Sequence, residues 1–248
     1  AVQSLAHLCR RLLQAREAVA FSALASGFVS STATIATMGL AVREGRSGAR
    51  LMAGGGLVSC VSTQVQLLLV AAAVQPAWVS VLWLPATAGG VGAAVWGWWL
   101  LRGAPDDAPD AAEPADGVAS SPRVEGLPGG DEDRMFSLSG AAAVVVLLSG
   151  IQALVHGLDL WLGQAGLIAG TMVAAMADLH SAVAAVFASS GPLRSDGDTW
   201  AVMLALAVHA GSKSVTAGLV GGRHYLMWLA PGLWAHTLLV IALLAWLV

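Results

Sequence analysis

Apolar runs as long as a membrane core is thick alternate along this chain with short polar joints. A helix crosses the hydrocarbon core with about 20 mainly apolar residues. Seven windows reach that length: 18–41, 51–74, 79–101, 136–157, 162–188, 200–220 and 225–248. They predict an all-α polytopic transmembrane bundle. One joint differs from the others. Residues 103–135 hold nine of the 15 acids (Asp106, Asp107, Asp110, Glu113, Asp116, Glu125, Asp131, Glu132 and Asp133) among Pro, Gly, Ala and Ser. Such a segment buries too little apolar surface to fold, so a disordered, solvated linker is expected there.

The stretches flanking the linker, 1–102 and 136–248, echo each other. Gln3-Ser4-Leu5-Ala6-His7 matches Gln152-Ala153-Leu154-Val155-His156 at an offset of 149, and Gln14-Ala15 matches Gln164-Ala165 at 150. Ser30-Ser31-Thr32-Ala33-Thr34 falls opposite Asp178-Leu179-His180-Ser181-Ala182 at 148, and Ser62 and Gln66 fall opposite His209 and Lys213 at 147. The nearly constant offset predicts two four-helix repeats. The first helix is truncated before Ala1, so about seven full spans remain. An even number of crossings per unit makes the repeats parallel, with residues 18–101 superposing on 162–248. Transporters built from internal repeats place their site at the repeat interface, near the midplane.

Polar residues inside the runs change the picture most. Lys213, the chain's only lysine, sits mid-span. A cation there costs about 3 kcal/mol or more unless it faces the bundle interior with a partner. Asp178 is the only acid deep in a span, and a buried Lys213–Asp178 pair is expected. His209 and Lys213 share a helix face by their i,i+4 spacing. Asp178 and His180 diverge by about 200° on an ideal helix, so they meet only if the helix breaks. Ser30, Ser31, Thr32 and Thr34 form a hydroxyl cluster in the first span. It serves either close helix packing or an interrupted helix that lends groups to a solute. Asp178, His180 and His209 are also weak candidates for a divalent-metal site. His7, His156, His224 and His236 read as structural or interfacial, and Cys9 and Cys60 as inert packing.

Composition narrows the class further. The chain is 57% hydrophobic and 11% charged, about half the charge of a soluble domain. Its ten Trp, many near the ends of the runs, suit interfacial belts. The net charge of −3 carries no nucleic-acid signature, because most acids lie in the linker. No nucleophile elbow, phosphate loop, zinc-enzyme motif or cofactor motif is present, so an enzyme is not expected. If spans alternate, Arg43, Arg46, Arg50, Arg102, Arg123, Arg134 and Arg194 lie on one side and Arg10, Arg11, Arg16 and Arg223 on the other. The positive-inside rule then puts the first set, the linker and the C-terminus in the cytoplasm.

Gly27-Phe28-Val29-Ser30-Ser31-Thr32-Ala33-Thr34 resembles the Gly-Leu-Val-Ser-Ser-Thr-Ala-Thr signature of a bacterial membrane domain of unknown function, number 4010. Gly166-Leu167, Ala177-Asp178, the small-residue span around Lys213 and Gly221-Gly222-Arg223 extend the likeness over almost the whole chain. This domain often follows an MgtC/SapB-type membrane domain, so the resemblance implies such a partner in a bacterial inner membrane. The family pattern has Asp-x-Asp where this chain has Asp178-Leu179-His180, and Asn where it has His209. Asp178 and Lys213 therefore carry over directly, His180 and His209 only as positions. The expectation is a transporter or permease-like protein for a small ion or solute, embedded in the lipid bilayer, with a homo-oligomer as a further candidate assembly. Its midplane site would be Asp178, His180, His209 and Lys213 with Ser30, Ser31, Thr32 and Thr34. The alternative is a non-transporting membrane subunit or regulator bound to an MgtC/SapB-like partner.

Overall fold

The computed structural model describes residues 15–104, 150, 153, 155–158, 160–191 and 195–247. The elements are α1 (Ala15–Arg43), α2 (Ala49–Val74), a 3₁₀ turn (Pro76–Trp78), α3 (Val79–Arg102), α4 (Gln164–Ala177), α5 (Leu179–Ser189) and α6 (Asp196–Leu247). No strand occurs among the described residues. By length and composition, α1, α2, α3 and α6 are long and apolar enough to cross a membrane. Most of the expected span at 136–157, the linker from 105 onward and residues 1–14 lie outside the described residues.

Three residues interrupt the helices, and each reverses the chain. Ser30 leaves the helical region inside α1 (φ −164°, ψ 111°). Thr34 Oγ1 then reaches Ser26 Oγ at 2.9 Å, although eight residues of straight helix would separate them by about 12 Å. Val19 and Met38 both press on Gly55 of α2, yet a straight helix would hold them about 28 Å apart. So α1 is a hairpin of two half-helices. It enters beside the start of α2, turns near Thr63 and returns to the same end.

Asp178 (φ −149°, ψ 120°) separates α4 from α5 in the same way. Gln164, at the start of α4, abuts Gly197 of α6. Near the end of α5, the Phe187 ring lies 4.8 Å from that of Trp78. Both ends of this second hairpin thus lie beside the α2–α3 turn, opposite the end where α1 enters. Its tip contacts α6 at His209 and Ser212.

The third reversal is Gly222, whose φ of 77° and ψ of 177° divide the 52-residue α6. Trp234 Nε1 donates to Ser214 Oγ at 3.1 Å across 20 residues, about 30 Å in a straight helix. A side chain disfavours that positive φ, which explains glycine here. Residues 196–221 and 223–247 are therefore two antiparallel arms. Arg43 Nη1 donates to Leu219 O at 3.1 Å near this turn, and Gly39 packs directly on the backbone of Gly221.

These reversals correct three expectations. Segments 18–41 and 162–188 do not cross as single spans; each folds back. Helices equivalent by sequence offset run in opposite directions: α2 leaves the end where α1 enters, whereas 196–221 runs towards it. The expected parallel repeats are therefore not formed. Finally, Ala104 packs with Leu51 and Leu101 at one end, and Leu244 with Trp78 and Phe187 at the other. The C-terminus and the start of the linker thus lie on opposite faces. One cause underlies all three: 18–41 and 162–188 have the length of a crossing but fold back at Ser30 and Asp178.

The same geometry gathers Arg16, Arg43, Arg46, Arg50, Arg102 and Arg223 at the end where α1 enters. Arg50 stacks between Trp99 and Trp228 (5.1 and 5.2 Å to the ring centroids), and Arg102 covers Trp98 at 4.9 Å. Arg16 donates to Ala104 O at 2.9 Å. The opposite end carries Asp196 and Asp198 and, among the described residues, no Arg or Lys.

Two apolar clusters fill the interior, one near each end. Ile35, Leu57, Leu100, Tyr225, Leu229 and their neighbours form the first. Leu67, Leu82, Val183, Phe187, Val202, Leu244 and theirs form the second. Between the two lies a polar layer where the hairpin tips meet.

Candidate functional site

A turn inside a membrane frees backbone groups that lipid cannot satisfy. At two of the turns, Ser30 and Asp178 cap the half-helix that comes after them. Ala33 N donates to Ser30 Oγ at 3.2 Å, and Ser181 N to Asp178 Oδ2 at 2.7 Å. The carbonyls before each turn are met from the next helix. Gln66 Nε2 donates to Phe28 O at 2.8 Å and Ser212 Oγ to Met176 O at 2.9 Å. His209 Nδ1 lies 3.1 Å from Ala175 O. A carbonyl only accepts, so this contact fixes the proton on His209 Nδ1.

The two tips join through Thr63 of α2. Its Oγ1 donates to Ser31 Oγ at 2.8 Å and accepts from Lys213 Nζ at 3.4 Å. Its carbonyl oxygen lies 3.5 Å from His180 Nε2. Through His180, Thr63 is linked to Asp178, whose Oδ1 sits 3.4 Å from His180 Nδ1. One residue of α2 thus touches the first hairpin, the second hairpin and the mid-span lysine. His180 has an acceptor against each ring nitrogen, while a neutral imidazole carries one N–H. Both contacts are hydrogen bonds only when the Asp178–His180 pair holds an extra proton.

Five of the expected site residues therefore converge: Ser31, Asp178, His180, His209 and Lys213. The helix break supplies the condition under which Asp178 and His180 can meet. Ser30 contributes a cap, and Thr34 binds Ser26 Oγ and Ser30 O within its own hairpin. Thr32 is half-buried beside Ser31.

The expected Lys213–Asp178 ion pair is not made. The ammonium, 2% exposed, instead meets Thr63 Oγ1 and, at 3.8 Å, Cys60 Sγ. Asp178 is held at the tip by its capping bond and by His180, while Lys213 points across to α2. Nor do Asp178, His180 and His209 form a metal centre. No group of three His, Cys, Asp or Glu fit to hold a metal occurs among the described residues, and His209 turns Nδ1 to a carbonyl.

Cys60, Thr63, Gln64 and His236 were missed. Cys60 and Thr63 are the nearest neighbours of Lys213. Gln64 and His236 are 5% and 4% exposed, and both line the face of α3 at Gly89. The sequence did carry a signal: Ser62-Thr63-Gln64 is a polar run in the middle of an otherwise apolar span, and Cys60 and Thr63 lie i,i+3 on one face.

A buried polar layer between two half-length hairpins, walled by long apolar helices, defines a polytopic α-helical membrane protein with an internal polar centre. The chain belongs to the family described as domain of unknown function 4010 (DUF4010), whose model matches residues 1–221. No curated protein and no solved structure matches it.

Proposed function

We propose that this protein is a secondary transporter, or permease-like carrier, for a small ion or solute. Its site is the layer where the hairpin tips meet. The observation that carries the reading is the convergence, at Thr63, of two interrupted helices that enter from opposite ends. Transporters of inverted-repeat design place their site near the midplane among discontinuous helices. The halves here fit an inverted repeat: Ser30 and Asp178, 148 residues apart, both break a helix in an extended conformation and cap the next half-helix. Opposite helix directions would set the pseudo-twofold axis of such a repeat in the membrane plane rather than along its normal. One half supplies the neutral pair Ser62 and Gln66, the other His209 and Lys213, which favours a single asymmetric site.

A subunit that only binds a partner would carry its polar groups outward. Thr63, His209 and Lys213 are instead buried (3, 7 and 2% exposed). Six arginines at one end, by the positive-inside rule, favour that end as cytoplasmic in a bacterial inner membrane. The C-terminus is then extracytoplasmic.

The test needs no knowledge of the solute. Ser31→Cys, in a background with Cys9→Ser and Cys60→Ser, is probed with a membrane-impermeant thiol reagent from each face. Ser31 is buried between the tips, so a carrier that opens alternately is labelled from both faces. Protection from both faces would overturn the transport reading.

A further inference from the structure

The hydrogen bonds at the tips are unbalanced in one direction. The acceptors that a cation would need are already engaged. Asp178 takes Ser181 N and faces His180, and Thr63 O faces His180 Nε2. Phe28 O, Ala175 O and Met176 O are covered by Gln66, His209 and Ser212. Donors are left over instead. Lys213 carries three N–H groups and spends them on two neutral atoms, at 3.4 and 3.8 Å. No carboxylate lies within 4 Å of this fully enclosed ammonium among the described residues. Because Thr63 Oγ1 accepts from Lys213, its own proton passes to Ser31 Oγ at 2.8 Å. The Ser31 proton then has no acceptor among the described residues. A chain of donors that starts on an ammonium thus ends on a hydroxyl with nothing to bind.

We propose that the ligand of this site is a small anion, held by the Lys213 ammonium and the Ser31 hydroxyl, with Thr63 as its placeholder. An anion between the two supplies the missing charge and the missing acceptor together, and charge-assisted hydrogen bonds are the strong ones. It displaces Thr63 Oγ1 from Nζ, so the ligand has to be compact. The tips differ in the same sense: the first is capped by neutral Ser30, the second by the carboxylate of Asp178. Entry beside Ser31 therefore meets no anionic cap. This inference deepens the transport reading by naming the class of cargo, but binding itself requires no transport.

Purified protein in detergent is melted at constant ionic strength in sodium gluconate. The gluconate is replaced stepwise by chloride, nitrate, acetate or inorganic phosphate. At least one of these is expected to raise the melting temperature saturably, by several degrees. Lys213→Met should abolish that response and Ser31→Ala should weaken apparent affinity about tenfold, the worth of one such hydrogen bond. Arg223→Gln, at the basic end, should keep the response and so exclude a general salt effect. An undiminished response in Lys213→Met overturns the proposal. So does the lack of any anion effect, or a response to exchanging sodium for N-methylglucamine instead. Anion binding combined with Ser31→Cys protection from both faces would leave a binding protein and remove only the transport reading. Labelling from both faces without an anion effect would do the reverse.

Discussion

Lys213→Met is expected to raise the melting temperature of the anion-free protein in detergent by about 2–16 °C while abolishing its response to anions. Two neutral contacts leave the buried ammonium without a counter-charge, and desolvation of such a charge costs several kcal/mol. Methionine has similar length, needs no partner and suits an apolar lining. Its arrival orphans nothing, because Thr63 keeps its bond to Ser31. Exchange of buried charges for apolar groups of like volume often stabilises by about 1–4 kcal/mol. In a chain of this size about 2–4 °C accompanies each kcal/mol. Lys213→Ala should not give the gain, because it adds a cavity. A fall in melting temperature for Lys213→Met would mean that the lysine holds the fold together, and would remove the reason to give it a functional role. A residue that destabilises the protein it serves is the pattern expected where activity sets the sequence.

The second large effect is at Gly27, just before the first turn. A Cβ there would lie 2.7 Å from Ser59 O and 3.0 Å from Ser59 Cα, which are backbone atoms of α2. Backbone cannot swing aside as a side chain can, so the incoming half-helix would have to move off α2. That displacement would also strain the Ser62–Leu24 and Gln66–Phe28 bonds (2.7 and 2.8 Å). Overpacking of this kind costs about 1–3 kcal/mol and occasionally more, and Gly27→Val adds the damage to two hydrogen bonds. A melting temperature lower by about 10 °C is expected at the same ratio of degrees to kcal/mol. Gly211→Ala is the control, because nothing lies within 4 Å of its Cβ position. Ala is the better helix former, so Gly211→Ala should hold or raise the melting temperature; a loss there as large as at Gly27 would show that the close approach is not the cause.

Much of the site was legible in the sequence, and much of the topology was not. Intramembrane charge is costly, so Lys213 and Asp178 announce themselves in any apolar run, and His209 comes with Lys213 through i,i+4 spacing. The hydroxyl cluster at 30–34 marked a place where a helix is interrupted. Whether the chain then continues or returns was not legible. Residues 18–41 meet the length of a crossing, and the reversal at Ser30 depends on partners, Gln66 and Thr63, that lie a helix away. The same holds for Asp178, whose freed carbonyls are met by His209 and Ser212. The parallel direction expected for the two halves rests on the number of crossings, and two of those crossings are fold-backs. The absent Lys213–Asp178 pair has a local reason: Asp178 is consumed by its role as a cap. Thr63, which links the hairpins, carries no charge and so gave no signal beyond its polar neighbours.

Re-entrant entry of both hairpins from opposite faces underlies the site and every role assigned to it. Single cysteines replacing Glu17, Glu44, Gln164 and Asp196, in the background without Cys9 and Cys60, test it in sealed right-side-out and inverted vesicles. Fold-back at Ser30 requires Glu17 and Glu44 to react with an impermeant reagent from one common face. Fold-back at Asp178 requires Gln164 and Asp196 to react from the other. Labelling of Glu17→Cys and Glu44→Cys from opposite faces would mean that the first hairpin crosses the membrane after all, and would contradict the site built at its tip.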